Sequence, residues 1–240
     1  MKNFLSSAII GSGFIAKSFY NKIKELEKMN VCLYAAGISN SQTEDKDLLK
    51  KDQNRIIEFS KNFDQKKQLV YLSTCSISDP SRSGNFYVRN KINIENLIKN
   101  KFNKYLIIRL PEVAGKNENK TTLLNFLYNS IKNSKKFEIW KKAKRNIIDI
   151  QDVVLMTMIF IKGNFKKNRI INIANPINYS IIEIVKNLEC ITNSKADYNL
   201  IDKGDDNWEI DIIEINEIIK NNKISFDENY LYQVLKKYNF

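Results

Sequence analysis

Tyr87 and Lys91 stand four residues apart in the stretch YLSTCSISDPSRSGNFYVRNKINIE, Tyr71 to Glu95, and Ser73, Thr74 and Cys75 close the apolar run that opens it. Spacing of i, i+4 puts the phenol and the ammonium on one face of a helix. An ammonium near a phenol favours the phenolate and lowers a pKa that starts at about 10. A tyrosine tuned in this way can donate or accept a proton at a carbonyl or an alcohol. Thr74, at the end of the neighbouring strand, supplies a hydroxyl to hold the same oxygen. Taken alone, the pair reads more readily as a surface tyrosine and lysine. The chain contains no histidine, which excludes Ser-His-Asp and Cys-His chemistry and the commonest metal sites. Acid–base work falls to Tyr, Lys, Asp, Glu or Cys.

A second constellation is Gly11-Ser12-Gly13-Phe14-Ile15-Ala16, a GxGxxA turn that follows an apolar strand and opens a helical period. Glycines there let a backbone approach a pyrophosphate, and the helix N-terminus supplies partial positive charge. A tight structural turn can use the same string. Its place at the first strand–helix junction of an α/β chain points to a dinucleotide.

The elements that must position both constellations are legible as alternating periods. After Gly13, Phe14, Ile15, Phe19, Ile23 and Leu26 recur at helical spacing, and VCLYAAG is a short apolar strand. A helix from about Asp45 to Phe63 has Leu49, Ile56, Phe59 and Phe63 on one face; QLVYLST is a third strand, the helix of Tyr87 and Lys91 follows, and YLIIRLPEVAG is a fourth strand. Apolar strands alternating with helices imply a parallel sheet covered on both faces. Beyond Gly115 the pattern becomes mixed, with a helix near Leu123–Lys132, short strands FEIW and NIIDI, a helix after Asp152, a strand IINIAN, a helix SIIEIVKNLECI and a closing segment SFDENYLYQVLKKYNF. We expect a dinucleotide-binding domain over residues 1–115 and a substrate-binding region over 116–240, packed on the first with some elements returning to it.

Composition narrows the classes. The 240 residues are 43% hydrophobic, enough for a substantial core. No apolar run approaches the roughly 18–20 residues of a membrane span, and Gly11, Gly13 and Lys17 interrupt the only stretch that resembles a signal peptide. Cys32, Cys75 and Cys190 are far apart and form no CxxC pair, so a reducing cytoplasm fits and neither a disulfide framework nor a zinc knuckle is indicated. The net charge of +12 invites a nucleic-acid reading, yet the lysines are scattered, and the densest run, IWKKAKRNII, lacks interleaved aromatic stacking partners. An anionic small substrate is the better use of the charge, with no specific nucleic acid and no membrane as partner.

Together these residues resemble an extended short-chain dehydrogenase/reductase, the nucleotide-sugar epimerase, dehydratase and reductase family. IIGSGFIA resembles its dinucleotide turn, YAAGISNS the strand that lines the cofactor, VYLSTCSIS the strand end bearing the catalytic Ser or Thr, and YVRNK its YxxxK. IIRLPEVAG resembles the Arg-Pro…Gly segment beside nicotinamide and sugar, RNIIDIQDV the later Arg…Asp segment, and ISFDENYLYQVLKKY the closing helix. The matches keep family order from Ala8 to Phe240.

The resemblance implies NAD or NADP as cofactor, held by Gly11, Ser12, Gly13, Phe14, Ile15, Ala35, Ala36, Gly37, Lys91, Leu110 and Pro111. It implies that Thr74, or Ser73, and Tyr87 hold the reacting oxygen while Lys91 binds the nicotinamide ribose and tunes Tyr87. STC is similar to the GDP-fucose synthase branch, which puts Cys75 close to the site. Arg145 is a candidate for pairing with the diphosphate through its planar fork, with a surface arginine as the equal alternative; Glu112 and Val113 fall in the substrate segment. The implied enzyme acts on a nucleotide-linked sugar, by 4-keto reduction or epimerisation, in surface polysaccharide biosynthesis, as a cytoplasmic homodimer paired through the helices near Asp45–Phe63 and Tyr87–Lys99. The rival is a degenerate Rossmann scaffold without turnover.

Departures from the family pattern are as informative. Ala35 follows Gly13 by only 22 residues (35 − 13), whereas one βαβ unit takes about 30 or more. The second and third strands of the usual Rossmann-type doubly wound sheet are therefore expected to be missing, together with the residue that reads the adenosine ribose. Thr74 and Tyr87 are 13 residues apart (87 − 74), a short connection for the family, and Ile10 occupies its first glycine position.

Overall fold

The computed structural model describes residues 8–117, 119, 122–163, 168–204 and 208–240. The strand read in SSAII begins outside that range; within it, the buried pair Ile9–Ile10 forms β1. The helical period after Gly13, expected as one helix, is two short ones, α1 (Phe14–Ser18) and α2 (Ile23–Lys28), separated by a 3-10 turn. Ser18 Oγ donates to the Phe14 carbonyl at 3.0 Å, a back-bond that competes with the helical ladder and bends helices. β2 (Val31–Tyr34) is buried throughout. α3 (Lys46–Lys61) starts where the Asp45 carboxylate accepts the Leu48 amide at 2.9 Å. β3 (Gln68–Thr74) leads through two 3-10 turns to α4 (Phe86–Lys101), whose cap, Asn85, accepts the Val88 amide at 3.1 Å.

The segment YLIIRLPEVAG, expected as one strand, is two: β4 (Tyr105–Leu110) and β5 (Glu112–Ala114), which pair in different sheets. Pro111 between them has no N–H to give a ladder. Then follow α5 (Leu123–Lys132), β6 (Phe137–Trp140), β7 (Lys144–Asp149), α6 (Ile150–Lys162) and β8 (Arg169–Asn172). β9 (Asn178–Ser180), α7 (Ile181–Thr192), β10 (Tyr198–Ile201), α8 (Asn216–Asn221) and α9 (Tyr230–Lys237) complete the order. The chain divides into two units, Met1–Leu110 with Val154–Ile173, and Pro111–Val153 with Ala174–Phe240.

The first unit carries a parallel five-stranded sheet in the order β1-β2-β3-β4-β8. This is the shortened Rossmann-type sheet expected from the spacing. Among the described residues β1 is its edge, and residues 14–34 supply α1, α2 and β2 but no further strand.

From β1 to β4 each crossover advances one strand in the same direction. α3 and α4 pack on one face, where Ile56, Ile94 and Ile98 form a core with Tyr34, Leu69, Tyr71 and Ile107. Leu26 of α2 is fully buried outside that core, and Glu25 beside it bridges to Lys162 of α6 at 2.9 Å.

In the second unit β5 pairs parallel and β9 antiparallel with β7, while β6 and β10 form a separate parallel pair. α5, α7 and α9 close a core that includes Leu127, Ile131, Ile184, Leu188, Leu231 and Leu235.

Candidate functional site

Ile10 pairs with Tyr34, Tyr34 with Tyr71, and Thr74 with Leu110. The parallel register therefore brings Gly11, Ala35–Gly37, Thr74 and Leu110 to the carboxyl edge of one sheet, where open α/β sheets bind ligands. Gly11 has φ +134°, and a Cβ on it would lie 2.6 Å from the Ala35 carbonyl oxygen. Only glycine permits this turn and this approach. Gly13 caps α1 in an extended conformation, and a Cβ there would meet nothing within 4 Å. Ser12 and Gly13 are exposed, Phe14 and Ile15 half-buried.

Thr74 ends β3 by accepting the Ser76 amide on Oγ1 at 3.2 Å, which starts the 3-10 turn Cys75–Ser78. Accepting that bond leaves its O–H as a donor. Ser73 is differently employed: its hydroxyl donates to Glu95 Oε1 at 2.7 Å, and Arg109 grips the same carboxylate through Nε at 2.9 Å and Nη2 at 2.7 Å. Glu95 holds the guanidinium protonated above its ordinary range. This buried knot ties β3, α4 and β4 together. Burial pushes the Cys75 thiol up, so it stays a thiol and offers no thiolate.

Tyr87 and Lys91 project from α4 and are both buried, Lys91 at 3% exposure. The surface-pair alternative is therefore excluded. The Lys91 ammonium nitrogen lies 5.6 Å from the Tyr87 ring centre and 5.4 Å from that of Tyr71, and it donates to the Tyr71 hydroxyl at 3.2 Å. Burial lowers the Lys91 pKa, while Asp52 and Glu95 pull it back up. Burial also pushes the Tyr71 phenol well up, so ammonium and neutral phenol face each other.

Sequence reasoning missed Tyr71, Asp52 and Glu95. Tyr71 sits in the same strand as Thr74, and period-two alternation puts it on the same face as Ser73. Asp52 lies at i+3 from Leu49 and i−4 from Ile56, on the apolar stripe of α3, where a lone carboxylate marks a buried charge. Both signals were readable; their meeting at Lys91 was not.

Leu110 is buried at the end of β4; Pro111, Glu112 and Val113, all half-buried, begin the second unit. Arg145 is also in the second unit, on β7, where Nη1 donates to the Lys144 carbonyl at 2.7 Å.

No protein-family profile matches the chain, and no curated protein does. Solved structures do. UDP-glucose 4-epimerase of Thermotoga maritima, with UDP-glucose, superposes with a TM-score of 0.72 over 96% of each chain at 15% identity. UDP-glucuronic acid 4-epimerase of Bacillus cereus, in complex with UDP-glucuronic acid and NAD, gives 0.66 over 96% of this chain and 88% of that one at 18% identity. RMD of Pseudomonas aeruginosa, complexed with NADPH, gives 0.64 over 85% and 78% at 13% identity. The chain shares the fold of these proteins.

Proposed function

We propose that this chain is an NAD(P)-dependent enzyme of the extended short-chain dehydrogenase/reductase kind, acting on a nucleotide-linked sugar by epimerisation or by 4-keto reduction. The observation that carries the reading is the buried Tyr87–Lys91 pair, with Lys91 Nζ at Gly37 on the carboxyl edge where Gly11 turns and Thr74 ends β3, in a chain with the fold of UDP-sugar epimerases. The residues present fit a dinucleotide there: Gly11 holds the turn tight against Ala35, and open space lies before Gly13. Gly11–Ile15 and Ala35–Gly37 would bind it, with Lys91 toward its ribose and Leu110 and Pro111 flanking. When bound, the nicotinamide supplies the hydride acceptor or donor.

The chain's own residues do the rest. Tyr87 gives or takes the proton at the sugar oxygen, and Thr74 donates a hydrogen bond to that same oxygen. Lys91 steadies the phenolate as it forms, in surroundings whose low dielectric strengthens the attraction. Ser73, committed to Glu95, secures the strand that presents Thr74. Arg145 would pair with the diphosphate, and Glu112 and Val113 would meet the sugar. Exposed Leu48 on α3 and exposed Phe86 and Ile92 on α4 support pairing of two copies through those helices. Surface polysaccharide biosynthesis in the cytoplasm is the setting that such a substrate suggests.

One observation favours a second reading, a binding scaffold without turnover: among the described residues β1 is an edge, so the strand whose end reads the adenosine ribose is missing. Incubation with UDP-glucose or UDP-glucuronic acid and NAD, followed by proton NMR at C4, separates the two. New C4 epimer that disappears in Tyr87→Phe supports the enzyme; reduction of a 4-keto sugar with NADPH or NADH would assign the reductase branch. No turnover of any of these, with saturable sugar-nucleotide binding, supports the scaffold.

A further inference from the structure

A Cβ built on Gly37 would lie 2.6 Å from Lys91 Nζ, 3.8 Å from the Tyr71 hydroxyl and 4.0 Å from Asp52 Oδ2. The ammonium therefore occupies the space a side chain at position 37 would need, and a phenol and a carboxylate converge on it. Asp52 is 2% exposed. Its Oδ2 accepts from Asn90 Nδ2 at 3.2 Å and from the Ile38 amide at 3.5 Å, and Asn90 is itself fixed by Gln53 at 2.8 Å.

The charges around Lys91 are few. α4 presents Tyr87 and Glu95, α3 presents Asp52 and Arg55, and the strands present Tyr34 and Tyr71. Glu95 is spent on Arg109 and Ser73. Arg55 reaches Asp52 only at 3.7 Å from a half-exposed side chain, and its short bond, 2.7 Å, is to the Ala36 carbonyl. Asp52 is thus the carboxylate whose charge remains to balance the buried ammonium. A buried ammonium without such a balance gives up its proton.

We propose that Asp52 and Tyr71 are positioning residues for Lys91: Asp52 keeps the amine charged inside the protein, and the Tyr71 hydroxyl fixes where it points. The inference rests on Lys91 being a working residue of the proposed site. It assigns a task to a strand tyrosine and a helix aspartate that lie outside the YxxxK motif.

The test is a pH titration of the Lys91 amine by NMR in protein labelled with nitrogen-15 at lysine Nζ, the resonance identified by its loss in Lys91→Met. Asp52→Asn keeps the size and the acceptor of the side chain, and should lower the Lys91 midpoint by about one unit or more. Asp52→Glu should restore most of that shift, and Tyr71→Phe should lower the midpoint by less. Asp52→Ser gives the same reading if the asparagine variant does not fold. A Lys91 midpoint unchanged in a folded neutral variant at position 52 overturns the proposal. NAD and NADP affinity, measured on the same proteins, keeps the two levels apart. A shifted midpoint in a chain that binds neither dinucleotide retains the positioning pair and sinks the enzyme; an unshifted midpoint in a chain that binds one does the reverse.

Discussion

Lys91 of the first unit and Lys237 of the second are each faced by carboxylates and phenols, and the two ammoniums are held differently. In the second unit Asp149 Oδ2 takes the Lys237 ammonium at 2.6 Å, Asp149 Oδ1 takes the Tyr238 hydroxyl at 2.6 Å, and the Tyr230 hydroxyl donates to Asp152 at 2.7 Å while accepting the Asp149 amide at 2.7 Å. Charge meets charge there at contact distance, and α9 is fastened onto the turn that starts α6. In the first unit the hydrogen bond of the Lys91 ammonium goes to a neutral phenol at 3.2 Å, and its balancing carboxylate stands off. A charge met at contact is structure; a charge balanced at a distance keeps bonding capacity for a ligand. Perturbed, incompletely paired groups mark working sites for this reason, and breaking either arrangement should have consequences of a different kind.

The largest expected effect is on turnover. Tyr87→Phe removes one hydroxyl, and steady-state kinetics on the sugar that the enzyme accepts should show a fall of about 100-fold or more, with melting temperature and dinucleotide affinity nearly unchanged. Asp149→Asn should do the opposite: a loss of about 2–3 kcal/mol in urea unfolding, below the range for fully buried pairs because Lys237 is 39% exposed, and no change in dinucleotide affinity. Equal losses of stability in both variants would erase the distinction between the two arrangements.

A smaller effect is expected at Gly37. An alanine methyl there meets the tip of a flexible side chain rather than backbone, so Gly37→Ala should displace the ammonium with little loss of stability and weaken dinucleotide binding by about tenfold, read by calorimetry.

The smallest effect is a pH dependence. The folded protein releases the Lys91 proton below the amine's ordinary value of 10.5 because the amine is buried. Between the folded and unfolded values the unfolded chain binds more protons, so this group's contribution to stability rises with pH. The melting temperature of wild type minus that of Lys91→Met should become more positive as pH rises from 7 toward 10. A difference that falls over that range would contradict the direction assigned to Lys91.

What was legible in the sequence was local. QLVYLST is β3 residue for residue, Leu123–Lys132 is α5, and the interval from Gly13 to Ala35 was too short for two more strands, so the reduced sheet could be read from a count. Local physics also bears on where the reading was too simple: the first helical period breaks at a 3-10 turn just after Ser18, which bonds back to the Phe14 carbonyl, and Pro111 divides a run of apolar residues between two sheets. In the site, Tyr87 and Lys91 share a helix face because four residues separate them. That Lys91 turns to Tyr71, and Ser73 to Glu95 rather than to Thr74's side, depends on residues 20 and 22 positions away. Such pairings are set by which helix covers which face of the sheet, and no periodicity carries that information.

Binding of NAD and NADP to the intact chain tests the central claim most directly, because every role given to Thr74, Tyr87 and Lys91 needs a nicotinamide beside them. Calorimetric titration of wild type and Lys91→Ala should show saturable binding of at least one dinucleotide to wild type, weakened at least tenfold in the variant. Absence of binding to wild type at millimolar dinucleotide, with the fold intact, would contradict the enzyme and leave a Rossmann scaffold whose tyrosine and lysine no longer work.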